Sequence, residues 1–348
     1  MRESLLIYGA AGYTGRMIVE QAVSRGLRPI LAGRDPAKLA PPAAAFGLPS
    51  LIARVEAPEG LREMASSAKI LLNAAGPFTS TAPPLIEACL ATGTHYLDIT
   101  GDPRTIEPIA GRHDDAVRRG VMLMPAVGFD VVASDCLLAH VARRLPGTNR
   151  LRLGFDESNG PSLGSLKTTF EMSGQGVLVR CDGRMERVVS NSHWFDYGRG
   201  PELSLAVNLG DVSSAYFSTG VPNIETFMRA TPSLWGAMAV NQYWGWLLAM
   251  PPWQEFAKTQ LQWLARNPSA PAPCAGWGVL VAEATDTAGS RQCSRFYSGD
   301  VYRYTALSSI GVVEKCLAGE FKPGFRTPSA IYGPDFALSF EGARREDL

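Results

Sequence analysis

The chain has 348 residues, with 33 Lys and Arg against 33 Asp and Glu, and 46% of it is hydrophobic. That length suggests roughly two domains, and the apolar content excludes a disordered chain. Zero formal net charge argues against nucleic acid or an anionic membrane as the main partner, since both select for excess positive charge.

The six cysteines lie no closer than 19 residues apart and the four histidines are dispersed, so no zinc-ligand spacing exists and no metal is expected. Scattered thiols in a chain of this size read as reduced, which points to a cytoplasmic setting. No charged leader followed by a long apolar run precedes Leu5, so no signal peptide is expected.

The run Ser4 to Tyr8 has the pattern of a buried parallel strand. It leads into Gly9-Ala-Ala-Gly12-Tyr-Thr-Gly15, and a helical pattern follows through Met17, Ile18, Gln21 and Ala22. Strand, glycine turn and helix in this order form a dinucleotide-binding fingerprint. Gly9 allows the tight turn, Gly12 the close approach of backbone to pyrophosphate, and Gly15 the contact of helix with strand. The helix start, at Tyr13 and Thr14, offers free N–H groups and a positive dipole end to phosphates.

The next strand, Pro29 to Ala32, ends in Gly33-Arg34-Asp35. NAD-binding units place an acidic residue here for the ribose 2′-OH. This chain has Arg34, 25 residues beyond Gly9. A guanidinium holds a 2′-phosphate, and Lys38 lies one helical turn further on. The expected cofactor is therefore NADP. Asp35-Pro36 reads as an N-cap followed by proline at the first helical position.

The βα rhythm continues. A strand at Lys69–Asn73 runs into the small-residue loop Ala74, Ala75, Gly76, Pro77 and Phe78, placed to pass under the nicotinamide ribose. A helix from Leu85 to Thr92 precedes a strand from His95 to Thr100. A helix at 114–119 precedes a strand from Val121 to Pro125. Such alternation fills a Rossmann domain. Beyond it, Arg150–Gly154, Leu203–Asn208 and Gly278–Ala284 read as strands.

The segments GAAGYTG, AGRDPAKL, NAAGPF, YLDITGD and GFDVVASD, in this order, resemble the saccharopine dehydrogenase-like NADP-binding oxidoreductases, a group that includes saccharopine reductases and bacterial trans-acting enoyl reductases. The resemblance covers residues 1–140, with later echoes at Gly164–Lys167 and from Tyr302 to Ala318. Two loops depart from the family pattern. Gly101-Asp102 stands where Gly-Glu is common, and Val131-Val132-Ala133 where Ser-Val-Pro is common.

The resemblance implies an α/β fold with an N-terminal Rossmann NADP-binding domain at 1–130 and a second α+β substrate and dimerisation domain at 131–300. Residues 301–348 would form a C-terminal helix and tail packing back on the first domain. A homodimer is the expected assembly.

Hydride transfer belongs to the nicotinamide, and the protein supplies orientation and a proton donor. None of the ten tyrosines has a lysine four residues on, so the short-chain reductase Tyr-Lys pair is missing. Catalytic candidates are Asp98 and Asp130, each at a strand end on the crevice side, and Tyr13 in the glycine loop. The structural alternative has both aspartates capping loops and Tyr13 covering the pyrophosphate. Lys167 is a candidate anion ligand or a solvated lysine, and His95 is read as structural.

The 25 residues from Ala230 to Gln254 carry no formal charge. They read as a buried or interface helix, as the wall of an apolar substrate pocket, or as a membrane helix; Asn241, Gln242 and the flanking prolines oppose the last reading, and membrane contact is not expected. The expected function is an NADPH-dependent reductase acting on a C=C, C=N or C=O group of a largely apolar small molecule. A saccharopine-type amino-acid dehydrogenase and a non-catalytic NADP-binding sensor are the rivals.

Overall fold

The computed structural model describes residues 3–157, 176–188, 191–231, 234 and 276–348. The readings on Lys167, on Gly164–Lys167 and on nearly all of Ala230 to Gln254 lie outside the described residues. No helix among those described is long and apolar enough to cross a membrane.

The first sheet alternates with helices: β1 (Glu3–Tyr8), α1 (Tyr13–Ser24), β2 (Ile30–Gly33), α2 (Pro36–Phe46), β3 (Ser50–Ile52), α3 (Pro58–Ser66), β4 (Ala68–Asn73), α4 (Phe78–Thr92), β5 (His95–Asp98), α5 (Pro103–Ala110), α6 (His113–Arg119) and β6 (Met122–Met124). The strand order is 3-2-1-4-5-6, extended at the β6 edge by β15 (Gly324–Phe325). All its pairings are parallel. This is the doubly wound arrangement, and its ligand crevice opens where the order reverses, between β1 and β4. Leu5, Leu6 and Ile7 are all fully buried, because β1 is covered on both faces.

Local chemistry sets the helix starts. Asp35 accepts from the Ala37 amide at 3.0 Å and Pro36 fills the first helical position of α2, as expected. Asp102 does the same for α5, accepting from Arg104 N at 2.8 Å, so the Gly101-Asp102 departure is a helix cap. Helix α4 begins at Phe78, earlier than the sequence reading, and carries Pro83 and Pro84 within it. Strand β3 is exposed at all three residues and has no apolar alternation to reveal it.

After β6 comes α7 (Phe129–Arg144), then the second sheet: β7 (Thr148–Glu157), β8 (Val177–Cys181), β9 (Arg184–Val188), β10 (Ser192–Asp196) and β11 (Pro201–Ala206). Helix α8 (Asp211–Thr219) and strands β12 (Asn223–Arg229), β13 (Gly278–Asp286) and β14 (Arg291–Ser298) follow. Its main order is β10-β11-β12-β7-β13-β14, closed by β16 (Arg344–Asp347). One face, with Leu151, Leu153, Phe155, Leu280 and Phe296, joins the same buried core as Leu5 and Ile7 of the first sheet and Val132 of α7.

Helix α9 (Val301–Leu317) packs against α1 and α7. The tail then serves both sheets. β15 pairs with β6, while β16 pairs with β14, so residues 301–348 do not pack on the first sheet alone. Helix α10 (Pro328–Tyr332) lies against α7.

The tightest contact is inside the glycine turn. A Cβ on Gly15 would lie 2.2 Å from the Gly9 carbonyl oxygen, which is backbone and has little room to move. Gly15→Ala should lower stability by about 1–3 kcal/mol through overpacking. An unchanged thermal melting midpoint would show that this contact does not constrain the turn.

Candidate functional site

The crevice is built by three loops at the carboxyl ends of β1, β2 and β4. Gly9 has φ +86°, and a Cβ there would come within 2.7 Å of Ala75 N, so the turn and the β4 loop lie in direct contact. The Gly9 amide donates to Ala32 O at 2.8 Å, and Ala74 N donates to Tyr8 O at 2.7 Å. These two bonds fix the three loops against one another.

Gly12 is the N-cap of α1, with no side-chain cap and no acidic residue in the first turn. Its hypothetical Cβ meets only Gly9 O, at 3.2 Å, leaving the crevice side open. Such a start favours an anion electrostatically. Tyr13 and Thr14 form the first turn, and Tyr13 is exposed, stacked edge-on against Tyr302 of α9 with centroids 5.2 Å apart.

Arg34 follows β2 directly, is exposed, and forms no hydrogen bond or ion pair among the described residues. Lys38 is also exposed, with its Nζ 3.9 Å from Asp35. An open glycine turn, an uncapped helix start and a free guanidinium fit a dinucleotide with an additional phosphate.

The β4 loop is braced from below. Asn73 is fully buried; its Oδ1 accepts from Ala75 N at 3.0 Å and its Nδ2 donates to Thr81 Oγ1 and Tyr96 Oη. Thr81 donates to Ala75 O at 2.6 Å. Ala75, Gly76, Pro77 and Phe78 therefore present a supported backbone edge, with Gly76 exposed.

The two aspartates part company. Asp98 is fully buried, and its carboxylate accepts from Thr100 N and Ala126 N at 2.9 Å each and from Tyr96 Oη at 2.9 Å. Burial pushes it up to about 6 against those three bonds. Its three hydrogen bonds tie β5 to the loop after β6, the arrangement of the loop-capping alternative. His95 Nδ1 accepts from Met122 N at 3.0 Å, joining β5 to β6.

Asp130 is half-buried, and neither a hydrogen bond nor an ion pair holds it among the described residues. Its Oδ2 would lie 3.3 Å from a Cβ on Gly101. Desolvation raises it to about 6. The next residue, Val131, has φ 109° and ψ −42°, breaking the first turn of α7. A β-branched residue in that region is strained by about 1–3 kcal/mol. Its amide is caught by Ser134 Oγ at 3.2 Å. From α9, Thr305 Oγ1 accepts from Phe129 N at 3.0 Å and Ser308 Oγ donates to Val127 O at 2.8 Å. The kinked turn that presents Asp130 is thus strapped by the C-terminal helix.

The second sheet region brings two carboxyl groups that the sequence reading missed. Glu157 ends β7, and Asp211 starts α8 beside Ser134. Asp211 is fully buried, and neither oxygen has a well-formed hydrogen bond among the described residues. Burial pushes it to about 8, and the charges of Asp130 and Asp135 add to the rise. Asp135 is a structural tie, accepting from Ser218 Oγ at 2.6 Å and Ser329 N at 3.2 Å. Only the third dimension gathers these groups, so no local motif announces them. Among the described residues no group of three His, Cys, Asp or Glu is placed to hold a metal.

Asp211 makes stability depend on pH. The folded chain keeps a proton that an unfolded aspartate, with an ordinary value of 3.8, releases. Stability from this group is therefore lost as pH rises from about 4 to about 8. Asp211→Asn should raise the calorimetric melting temperature at pH 8 relative to wild type, with the gap closing toward pH 4. A gap independent of pH would mean that the carboxyl is ionised in the fold.

Comparison with known proteins agrees with this geometry. The saccharopine dehydrogenase NADP binding domain family matches residues 5–124. The saccharopine dehydrogenase-like oxidoreductase of Mus musculus is 31% identical over 164 residues, 41% of this chain and 38% of that one. The trans-acting enoyl reductase of Mycobacterium ulcerans is 34% identical over 150 residues, 40% of this chain and 35% of that one. A Mycobacterium tuberculosis protein provisionally given the same name is 35% identical over 217 residues, 58% of this chain and 51% of that one. The matched regions thus span between about a third and a half of these relatives. In fold, the chain is similar to the saccharopine dehydrogenase (L-Glu forming) of Saccharomyces cerevisiae, with a TM-score of 0.65 over 99% of this chain and 100% of that one at 13% identity. The glycine turn and the exposed Arg34 thus lie within the segment, residues 5–124, that matches the saccharopine dehydrogenase NADP binding domain, and the chain as a whole is similar in fold to a saccharopine dehydrogenase.

Proposed function

We propose that this protein is an NADPH-dependent reductase that delivers hydride to a polarised C=C, C=N or C=O bond of a largely apolar small molecule. The bound cofactor supplies the hydride, and the protein supplies placement and a proton. Gly9, Gly12, Thr14 and Gly15 hold the pyrophosphate on backbone amides. Arg34 takes the 2′-phosphate with Lys38 adding charge nearby, and Ala75, Gly76, Pro77 and Phe78 line the ribose. Tyr13, edge-on against Tyr302, covers the phosphates. Asp98 positions the β5 and β6 loops, and Asp130 is the carboxylate that meets the substrate.

One observation carries the choice of substrate. Asp130 raises Glu157, and no lysine or arginine among the described residues is paired with either acid; Asp156, which also acts on Glu157, is paired with Arg199 and Arg229 on the other side of β7. A saccharopine-type substrate brings several carboxylates and needs guanidinium or ammonium partners. A crevice walled by acids favours a substrate without carboxylates. The enoyl reductase name of the mycobacterial relatives points the same way.

The cofactor assignment is tested by titrating NADPH and NADH. Wild type should bind NADPH far more tightly. Arg34→Ala should weaken NADPH about 10- to 150-fold, the worth of one charged contact of about 1.5–3 kcal/mol, and leave NADH unchanged. Equal wild-type affinity for the two would overturn the assignment. Gly12→Val should abolish NADPH binding while circular dichroism stays that of wild type, because its side chain would project toward the open crevice. Retained binding would place the site elsewhere.

A further inference from the structure

The end of β7 abuts the turn that presents Asp130. Along β7, Phe155 and Glu157 share the face toward the first sheet, while Asp156 points the other way and is held by Arg199 and Arg229 at 2.5 Å each. The Phe155 ring meets Phe129 edge-on, with centroids 6.3 Å apart. Gly278, the register partner of Glu157, sits so close that a Cβ on it would come within 2.9 Å of Phe129 Cζ. Phe129 immediately precedes Asp130. Glu157 is therefore delivered from the second sheet to the same end of the crevice, half-buried and with no hydrogen bond or ion pair among the described residues.

We infer that Glu157 is the general acid of the reduction, with Asp130 the carboxylate paired to it across the two sheets. This rests on the reductase reading above. The double bond accepts hydride at its electron-poor atom, and its π pair moves to the other atom. That atom takes the proton from the Glu157 carboxyl, whose O–H pair stays behind as carboxylate. Water then returns a proton to Glu157.

The electrostatics give the two acids different parts. Burial, with the charges of Asp130 and Asp156 adding, pushes Glu157 up to about 8, while Asp130 stands at about 6. Near pH 7 the coupled pair holds one proton, on Glu157. The other charged groups around the pair are Asp211 of α8, which lies within electrostatic reach of Asp130, and Asp156, whose charge is held by Arg199 and Arg229. The two arginines are engaged by Asp156, on the other side of β7, and neither forms an ion pair with Glu157 or Asp130.

The test uses the full chain with NADPH and two probes, trans-2-octenal and 1-pyrroline. Wild type should oxidise NADPH with at least one, its rate falling as pH rises through about 8. Glu157→Gln should lower kcat about 10²-fold or more, leave KM and NADPH affinity near wild type, and lose that basic limb. Glu157→Asp should restore part of the rate. Asp130→Asn, by removing a neighbouring negative charge, should move the limb to lower pH. In parallel, ¹³C-carboxyl-labelled glutamate should show one signal titrating near pH 8 that vanishes in Glu157→Gln. Wild-type kcat and an intact limb in Glu157→Gln, or a Glu157 signal in the ordinary carboxylate range, would overturn the inference and leave the reductase reading standing. Failure of wild type to bind NADPH or to reduce either probe would overturn the reductase reading itself.

Discussion

The contact of Gly15 with the Gly9 carbonyl, and of Gly9 with Ala75, sets where everything else in the first sheet can go. With no side chain at either glycine, α1 starts directly over the end of β1, and the β4 loop closes against the same turn. The Gly9 amide is then in reach of Ala32 O, and that bond brings the end of β2, and Arg34 one residue past it, to the rim of the crevice. A helix start without a side-chain cap, a floor of small residues and an exposed guanidinium follow from one close approach of backbone to backbone.

The second constraint acts between the sheets. Phe129 is packed by Phe155 and Tyr304, with the Gly278 backbone alongside, while Thr305 accepts from its amide and Ser308 donates to the Val127 carbonyl two residues before it. This packing holds Val131 in a conformation that a β-branched residue avoids. A strain of about 1–3 kcal/mol persists only where the surroundings over-determine it. Here the surroundings are a buried aromatic cluster, two helix hydroxyls and the Ser134 side chain. The result is a carboxylate on a broken first turn of its own helix, with its Oδ2 beside Gly101. Asp211 adds a second unfavourable feature, a buried acid without a formed hydrogen bond, within the electrostatic reach of Asp130. Two costs of this kind at one place mark a region shaped for something other than stability.

The legible parts of this chain are those whose physics is local. Gly9 to Gly15 and Asp35-Pro36 act over a few residues, and sequence alone places their turn, helix start and cap. Asp98 cannot be placed from sequence, because a strand-end aspartate looks the same whether it faces a crevice or is bonded by Tyr96, Thr100 and Ala126; the difference lies in bonds to residues as far as 28 positions away. Glu157 escapes notice because the alternation of Arg150 to Gly154 reads as a complete strand, whereas β7 runs on to residue 157. Asp211 has no local signal at all, since its neighbours in sequence are those of an ordinary helix start. Helix α4 hides behind Pro83 and Pro84, which suggest a later start than the observed Phe78.

Charge decides what such a crevice accepts. Like unit charges 4 Å apart repel by about 4 kcal/mol at the effective dielectric of a protein surface. A substrate carboxylate near Asp130 would meet that penalty, and while the proton remains on Glu157 it would meet it once rather than twice. The extra phosphate of the cofactor avoids it altogether, because Arg34 sits at the opposite end of the crevice, beyond β2. On the reading proposed above, the two ends sort ligand groups by sign: anions at the glycine turn and its guanidinium, neutral polarisable groups at the acids. A neutral double bond is one of the few groups that gains from an acidic end without being repelled by it, because negative charge develops on it only as hydride arrives, at the moment when a proton beside it can neutralise that charge.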